Sequence, residues 1–300
     1  MSDLQLRDLT STIGVEIRGL DTSTELDGAT CDRLRELFAT RSVLVFPDLE
    51  IDEDYQRYLC YMLIGKSADG RSLDDADGQG MDEPPRQAPL QIVSNREEQA
   101  SAPYGRLMFH CDTMWSETTQ PVISLYGLEV DEPGVPTLFV SMGDAWDSLS
   151  PELRARVQRL EARHGHEHSY SNRGGDDDVI DARFDKSIWT TTPVANPHPV
   201  SGRVGLYVSE QVTIEILDVS AEENESLLEE LYAHLYRPAE ILEVDWYENQ
   251  LVIWDNQAVQ HARKTVELDG PVRTLRKVTG PLTFSLESVG IPVFSKVDNQ

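Results

Sequence analysis

The runs VISLYGLEV (122–130) and TLFVSM (137–142) are rich in β-branched and aromatic residues, and DEPGVP (131–136) between them consists largely of turn formers. Apolar runs of this length bounded by turn signals read as strands. The pattern recurs in both directions along the chain. LQIVSN (90–95) precedes it, and GRVGLYV (202–208), AEILEVDW (239–246), QLVIWDN (250–256) and RTLRKVTG (273–280) follow. Two helical patterns interrupt the series, at 143–162 and at 220–236; the second opens on Ser220 with Glu223 at capping-box spacing. Many short strands with few helices predict a mainly β fold with α decoration, a sandwich or barrel of jelly-roll type.

The N-terminal part is mixed. IGVEIRGL (13–20) alternates as a strand, 27–42 carries Leu34, Leu37 and Phe38 at helical spacing, SVLVFPDL (42–49) reads as a buried strand stopped by Pro47, and 52–66 reads as a second helix. No internal repeat is present, so residues 1–300 are expected to form one domain. Residues 66–89 are rich in Gly, Asp, Pro and Ser and poor in large apolar residues, which predicts a mobile loop, either functional, as a lid, or merely disordered. GGDDD (174–178) repeats that signature. The wider stretches 66–106 and 164–195 yield no functional reading.

Composition narrows the function. With 26 Lys+Arg against 53 Asp+Glu the net charge is −27, which opposes long-range attraction to nucleic acid or anionic membrane and reads mainly as a solvated surface. The three cysteines (Cys31, Cys60, Cys111) are widely spaced and form no C-x-x-C, so neither a disulfide scaffold nor a zinc ribbon is expected. The N-terminus has no apolar signal core and no run is long enough to span a bilayer. A cytoplasmic protein with a small-molecule substrate is the expectation.

His110 and Asp112 stand two apart in FHCDTMW (109–115), so in extended chain both point to one side and Cys111 to the other. Such a pair is common, and it needs a third ligand. Among the remaining histidines, His234 lies on a helical pattern, His198 sits between prolines, and His164, His166 and His168 cluster without a spaced acidic partner. His261 follows the strand ending in Trp254-Asp255-Asn256, where it is placed to face a barrel interior; a satisfied buried histidine is the plainer reading. Taken together, His110, Asp112 and His261 make the two-histidine, one-carboxylate facial set of non-haem Fe(II) oxygenases, which leaves positions for a 2-oxo acid and O2. Arg273, on a later β run, is a planar fork suited to the far carboxylate of such a cosubstrate.

At this point the chain resembles the Fe(II)- and 2-oxoglutarate-dependent dioxygenases of the taurine dioxygenase/2,4-D dioxygenase (TauD/TfdA) type. The likeness runs from IGVEIRGLD through FHCDTMWSETTQPVISLYGLEV and PTLFVSM to LVIWDNQAVQHARKTVELDGPVRTLRKVTG. It implies a double-stranded β-helix with His110, Asp112 and His261 as iron ligands. It also implies Thr137 and Arg273 as partners of the distal carboxylate of 2-oxoglutarate, and often an assembly of two or four copies. The turn before Thr137 departs from the family's G-G-D-T, reading PGVPT. Where taurine-specific members carry a sulfonate-binding arginine, this chain has Lys277, with Arg276 beside it. Strand alternation puts Lys277 on the Arg273 face, and a one-residue slip would substitute Arg276. Asn95 matches a recurrent position near the active site or is a turn residue; Trp115 is a pocket or a core residue. The implied reaction is oxidation, chiefly hydroxylation, of a C–H bond in a small organic substrate, anionic or not, with succinate and CO2 released. Desaturation and cyclisation stay open, while Asp112 argues against halogenation. The alternatives are a zinc hydrolase or isomerase on the same barrel, which has no need of an Arg273 clamp, and a non-catalytic binding protein.

Overall fold

A computed structural model describes residues 4–66, 90–97, 100–117, 119–173 and 176–281, with 166–173 and 176–188 described by backbone alone. The chain opens with β1 (Gln5–Asp8) and β2 (Val15–Arg18), then α1 (Gly28–Arg41), β3 (Val43–Phe46) and α2 (Glu53–Leu63). Next come β4 (Gln91–Ser94), β5 (Gly105–His110), β6 (Val122–Val130) and β7 (Gly134–Ser141), followed by the short helices α3 (Met142–Asp147) and α4 (Pro151–Val157). A long pair, β8 (Glu161–Arg173) and β9 (Asp176–Pro193), leads to β10 (Ala195–Pro197), β11 (Val204–Leu206) and β12 (Thr213–Ile216). After α5 (Ala221–Leu235) come β13 (Leu242–Trp246), β14 (Leu251–Asp255), β15 (Val259–Val266) and β16 (Arg273–Thr279), the last strand among the described residues.

Among the described residues the strands form two seven-stranded sheets, β1-β2-β3-β14-β6-β16-β4 and β12-β8-β9-β5-β15-β7-β13, beside the β10–β11 pair. Alternation decides what each face meets. From the first sheet Val45, Val252, Trp254 and Leu275 pack against Phe139, Val244, Trp246 and Val259 of the second. The opposite faces of the same strands, with Phe46, Leu251, Ile253 and Val278, lie under α1 and α2. This is the jelly-roll layering expected from the sequence. Helix α1 buries Cys31, Leu34, Leu37 and Phe38 along one stripe, starts where the Asp27 carboxylate accepts from the Thr30 N–H, and stops at Ser42 in left-handed conformation (φ 58°). Gly127 in β6 admits the backbone around Tyr247; a Cβ there would stand 2.1 Å from the Tyr247 carbonyl oxygen.

Two expectations need correction. The 143–162 pattern is not one helix: Ser150 caps a new start, its hydroxyl accepting from the Leu153 N–H with Pro151 at the first turn, and residues from Glu161 onward are strand. Residues 176–178, expected in a loop, belong to β9. The stretch proposed as a lid lies, from residue 67 to 89, outside the described residues.

Candidate metal centre

His110 closes β5 and His261 lies inside β15, so the site is set by strand pairing: the two residues are direct antiparallel partners, and His261 also faces Phe139 of β7. The sequence places His261 after β14; it is the next strand, not the end of that one, that carries it. Their imidazole centroids are 4.2 Å apart. Asp112, in the turn after β5, completes a group whose ligand atoms all lie within 4.8 Å of one another. Both Nε2 atoms approach the same carboxylate oxygen, Oδ1, at 3.4 Å from His110 and 3.8 Å from His261. His110 Nδ1 lies 2.8 Å from the Met108 carbonyl, which fixes the proton there and turns the Nε2 lone pair toward Asp112.

The electrostatics prepare two of the three donors, Asp112 and His261. Burial alone would raise the Asp112 carboxyl, but Lys277, with His110 and His261, holds it well below the usual carboxylate range. Burial, then the neighbouring His110, pushes His261 well below the usual histidine range, against the opposite pull of Asp112. Near neutral pH the centre therefore offers a neutral His261 and an ionised carboxylate, so metal entry need not displace a proton from either. Trp254 packs on His261 with ring centroids 4.9 Å apart, and Phe139 meets Trp254 edge-on, giving the site an apolar wall.

The facing sheet supplies cations. Lys277 of β16 reaches across and its ammonium pairs with Asp112 Oδ2. Arg273, four residues earlier on the same face and about 13 Å along the strand, is buried among neutral partners. Its Nε donates to the Val135 carbonyl (3.0 Å), its Nη2 lies 3.4 Å from Thr137 Oγ1, and its guanidinium sits 5.7 Å from the Trp246 ring centroid. Burial, then the like charge of Arg263, pushes its pKa down. No carboxylate pairs with Arg273 among the described residues, so the pocket holds a buried positive charge in want of an anion. Thr137 Oγ1 also accepts from Trp246 Nε1 at 3.0 Å, which leaves the hydroxyl proton to be donated.

The other expected residues take different positions. Arg276 lies on the opposite face of β16, under α2, with Nε donating to Gln56 Oε1 (2.7 Å) and Nη2 to the Ile51 carbonyl (3.1 Å); it is not brought to the centre. Asn95 is a brace: its amide donates to the Glu267 and Pro271 carbonyls, and its oxygen accepts from the Arg273 N–H. Trp115 is buried in the turn after Asp112. His164, also buried, lies between Thr213 and Thr192 hydroxyls at 3.0 and 2.9 Å, where burial pushes its pKa down to about 3. The side chains of His166 and His168 lie outside the described residues.

Two positioning residues carried only weak sequence signals. Asn256, legible as part of a turn, grips the Asp112 backbone from both sides. Its oxygen accepts from the Asp112 N–H at 3.0 Å, and its amide donates to the Asp112 and Gln120 carbonyls, each at 2.9 Å. His198 Nδ1 accepts from the Val200 and Ser201 N–H groups, so its Nε2–H points at Asp255 (3.1 Å) and braces the turn leading into β15.

The donor set of two imidazoles and one carboxylate fits an Fe(II) centre, and the uncompensated guanidinium beside a hydroxyl fits the far carboxylate of a 2-oxo diacid. The chain is similar to known proteins along most of its length. The family described as Taurine catabolism dioxygenase TauD, TfdA family matches residues 5–279. An alkylsulfatase of Acinetobacter baylyi is 25% identical over 264 residues, covering 86% of this chain and 79% of that one. The (S)-phenoxypropionate/alpha-ketoglutarate-dioxygenase of Sphingobium herbicidovorans is 24% identical, covering 84% and 86%. The crystal structure of AAD-2 in complex with Mn(II) and N-oxalylglycine shares the fold with a TM-score of 0.70 at 22% identity, covering 94% of this chain and 98% of that one.

Proposed function

The chain belongs to the taurine catabolism dioxygenase TauD, TfdA family, and from that membership we propose that it hydroxylates a C–H bond of a small anionic organic molecule, using Fe(II), 2-oxoglutarate and O2 and releasing succinate and CO2. Bound iron would supply the activation of O2 and of the C–H bond, chemistry that amino-acid side chains do not perform. His110, Asp112 and His261 would hold it. Arg273 would pair with the far carboxylate of 2-oxoglutarate and Thr137 would donate its hydroxyl proton to the same group, fixing how deeply the cosubstrate sits. Phe139 and Trp254 would keep water from the centre.

The observation that carries this reading is the combination of a three-donor set with a buried guanidinium, Arg273, that pairs with no carboxylate among the described residues. A zinc hydrolase would use the donors and leave Arg273 without purpose. The test is anaerobic titration of metal-free protein with Fe(II) and 2-oxoglutarate. A weak visible charge-transfer band is expected, lost in His110→Ala and in His261→Ala; its absence in the wild-type protein would overturn the reading. Arg273→Gln should weaken 2-oxoglutarate binding by one to two orders of magnitude, the range of a charge-assisted pair worth roughly 1.5–3 kcal/mol.

Relatives named for alkyl sulfate and phenoxypropionate chemistry support the anionic assignment. Succinate formation should be stimulated by members of a panel of small sulfates, sulfonates and carboxylates; stimulation by neutral amines or alcohols alone would overturn that part. A cytoplasmic location and an assembly of two or four copies complete the proposal. Three buried free cysteines suit a reducing compartment, and no helix among the described residues is long and apolar enough to cross a membrane.

A further inference from the structure

The two oxygens of Asp112 are treated differently. Oδ1 is the oxygen that both imidazole Nε2 atoms approach. Oδ2 is turned the other way and pairs with the Lys277 ammonium, which arrives from the opposite sheet. The base of Lys277 is fixed, since β16 is hydrogen-bonded on both sides and Lys277 is the register partner of Leu125 on β6 and Gln91 on β4. Its reach is therefore directed, and both side chains are mostly withdrawn from solvent, each 17% exposed.

A carboxylate binds a metal through one oxygen or two. With two oxygens engaged, Asp112 would occupy a position that the facial set must leave open for cosubstrate and O2. We propose that Lys277 is a positioning residue: by holding Oδ2 it confines Asp112 to one-oxygen ligation through Oδ1 and keeps that position open. An ammonium is suited to this, because it satisfies Oδ2 with a hydrogen bond and places positive charge where a second metal contact would form. This assigns Lys277 a role other than the substrate-anion seat suggested by its sequence position. It rests on the metal-centre reading given above.

Mn(II) is the probe. In the crystal structure of Mn(II)-loaded wild-type protein, Asp112 is expected to meet the ion by Oδ1 alone, with Lys277 still on Oδ2. In Lys277→Met both oxygens should move onto the ion, and the bound-water contribution to proton relaxation by Mn(II) should fall by about a third, as one of three open positions is filled by protein. Lys277→Arg should restore the wild-type relaxation. Lys277 swung away from Asp112 in the loaded wild-type protein, or one-oxygen ligation and unchanged relaxation in Lys277→Met, overturns the proposal and leaves the metal centre standing. Absence of Mn(II) from the triad in wild-type protein overturns the metal-centre reading and this proposal together. Should Lys277→Met fail to fold, the wild-type structure decides.

Discussion

Asn256 holds Asp112 by its backbone, leaving the carboxylate to Lys277 and the imidazoles. Three hydrogen bonds within 3.0 Å tie one fully buried amide to the ligand turn. Truncation to alanine would strand the Asp112 N–H and two carbonyls in a dry environment, a loss of about 2–4 kcal/mol. Asn256→Ala should therefore lower thermal stability and also weaken Mn(II) binding, measured by melting curves with and without the ion. Equal shifts in both conditions would reduce Asn256 to a scaffold residue with no bearing on the centre. At this scale the sequence was informative where chemistry is carried by residue type and spacing. His110, Asp112 and His261 meet, and Thr137 lies beside Arg273. The bracing contacts were not readable, because Asn256 to Gln120 and His198 to Asp255 are long-range pairs that no local pattern encodes.

At the scale of elements, local rules held where the local signal was strong. Helix α5 begins where predicted, with the Ser220 hydroxyl accepting from the Glu223 N–H at 3.2 Å. Ser220→Ala should cost about 1 kcal/mol in chemical denaturation and leave 2-oxoglutarate binding unchanged, since the cap touches no residue of the centre; a loss of binding would show that α5 transmits to the site. The 143–162 pattern failed because helical periodicity survives a break: Leu149, Leu153 and Val157 keep their apolar stripe on either side of the Ser150–Pro151 start. The β8–β9 pair was not legible, because HGHEHSYSNRGGDDD has no aliphatic residue to mark a buried face. Its strand character comes from its partner, with pairing from Glu161↔Pro193 to Arg173↔Asp176. Strand alternation did separate Lys277 from Arg276, and the two lie on opposite faces of β16.

For the whole molecule, buried histidine makes folding sensitive to mild acid. His164 is held neutral between two threonines, with burial pushing its pKa down to about 3. The unfolded chain protonates that imidazole near 6.5, so between about pH 6.5 and 3 it binds the additional proton. Stability present above 6.5 is therefore lost as pH falls, by up to about 1.4 kcal/mol per unit. His261, depressed in the same direction, adds to the effect in metal-free protein. Urea denaturation of chelator-treated protein at pH 7 and pH 5 should show a loss in the wild type that is about 2 kcal/mol smaller in His164→Gln. Equal losses in the two proteins would mean that His164 is not held neutral.

The imidazoles stand on one sheet and the two cations, Arg273 and Lys277, on the other. That split separates what can be inherited unchanged from what can drift. Substitutions along the inner face of β16 can retune cosubstrate grip and ligand geometry without disturbing the β5–β15 register that holds His110 and His261. A variant library confined to that face should thus yield proteins that keep their metal while exchanging one 2-oxo acid for another.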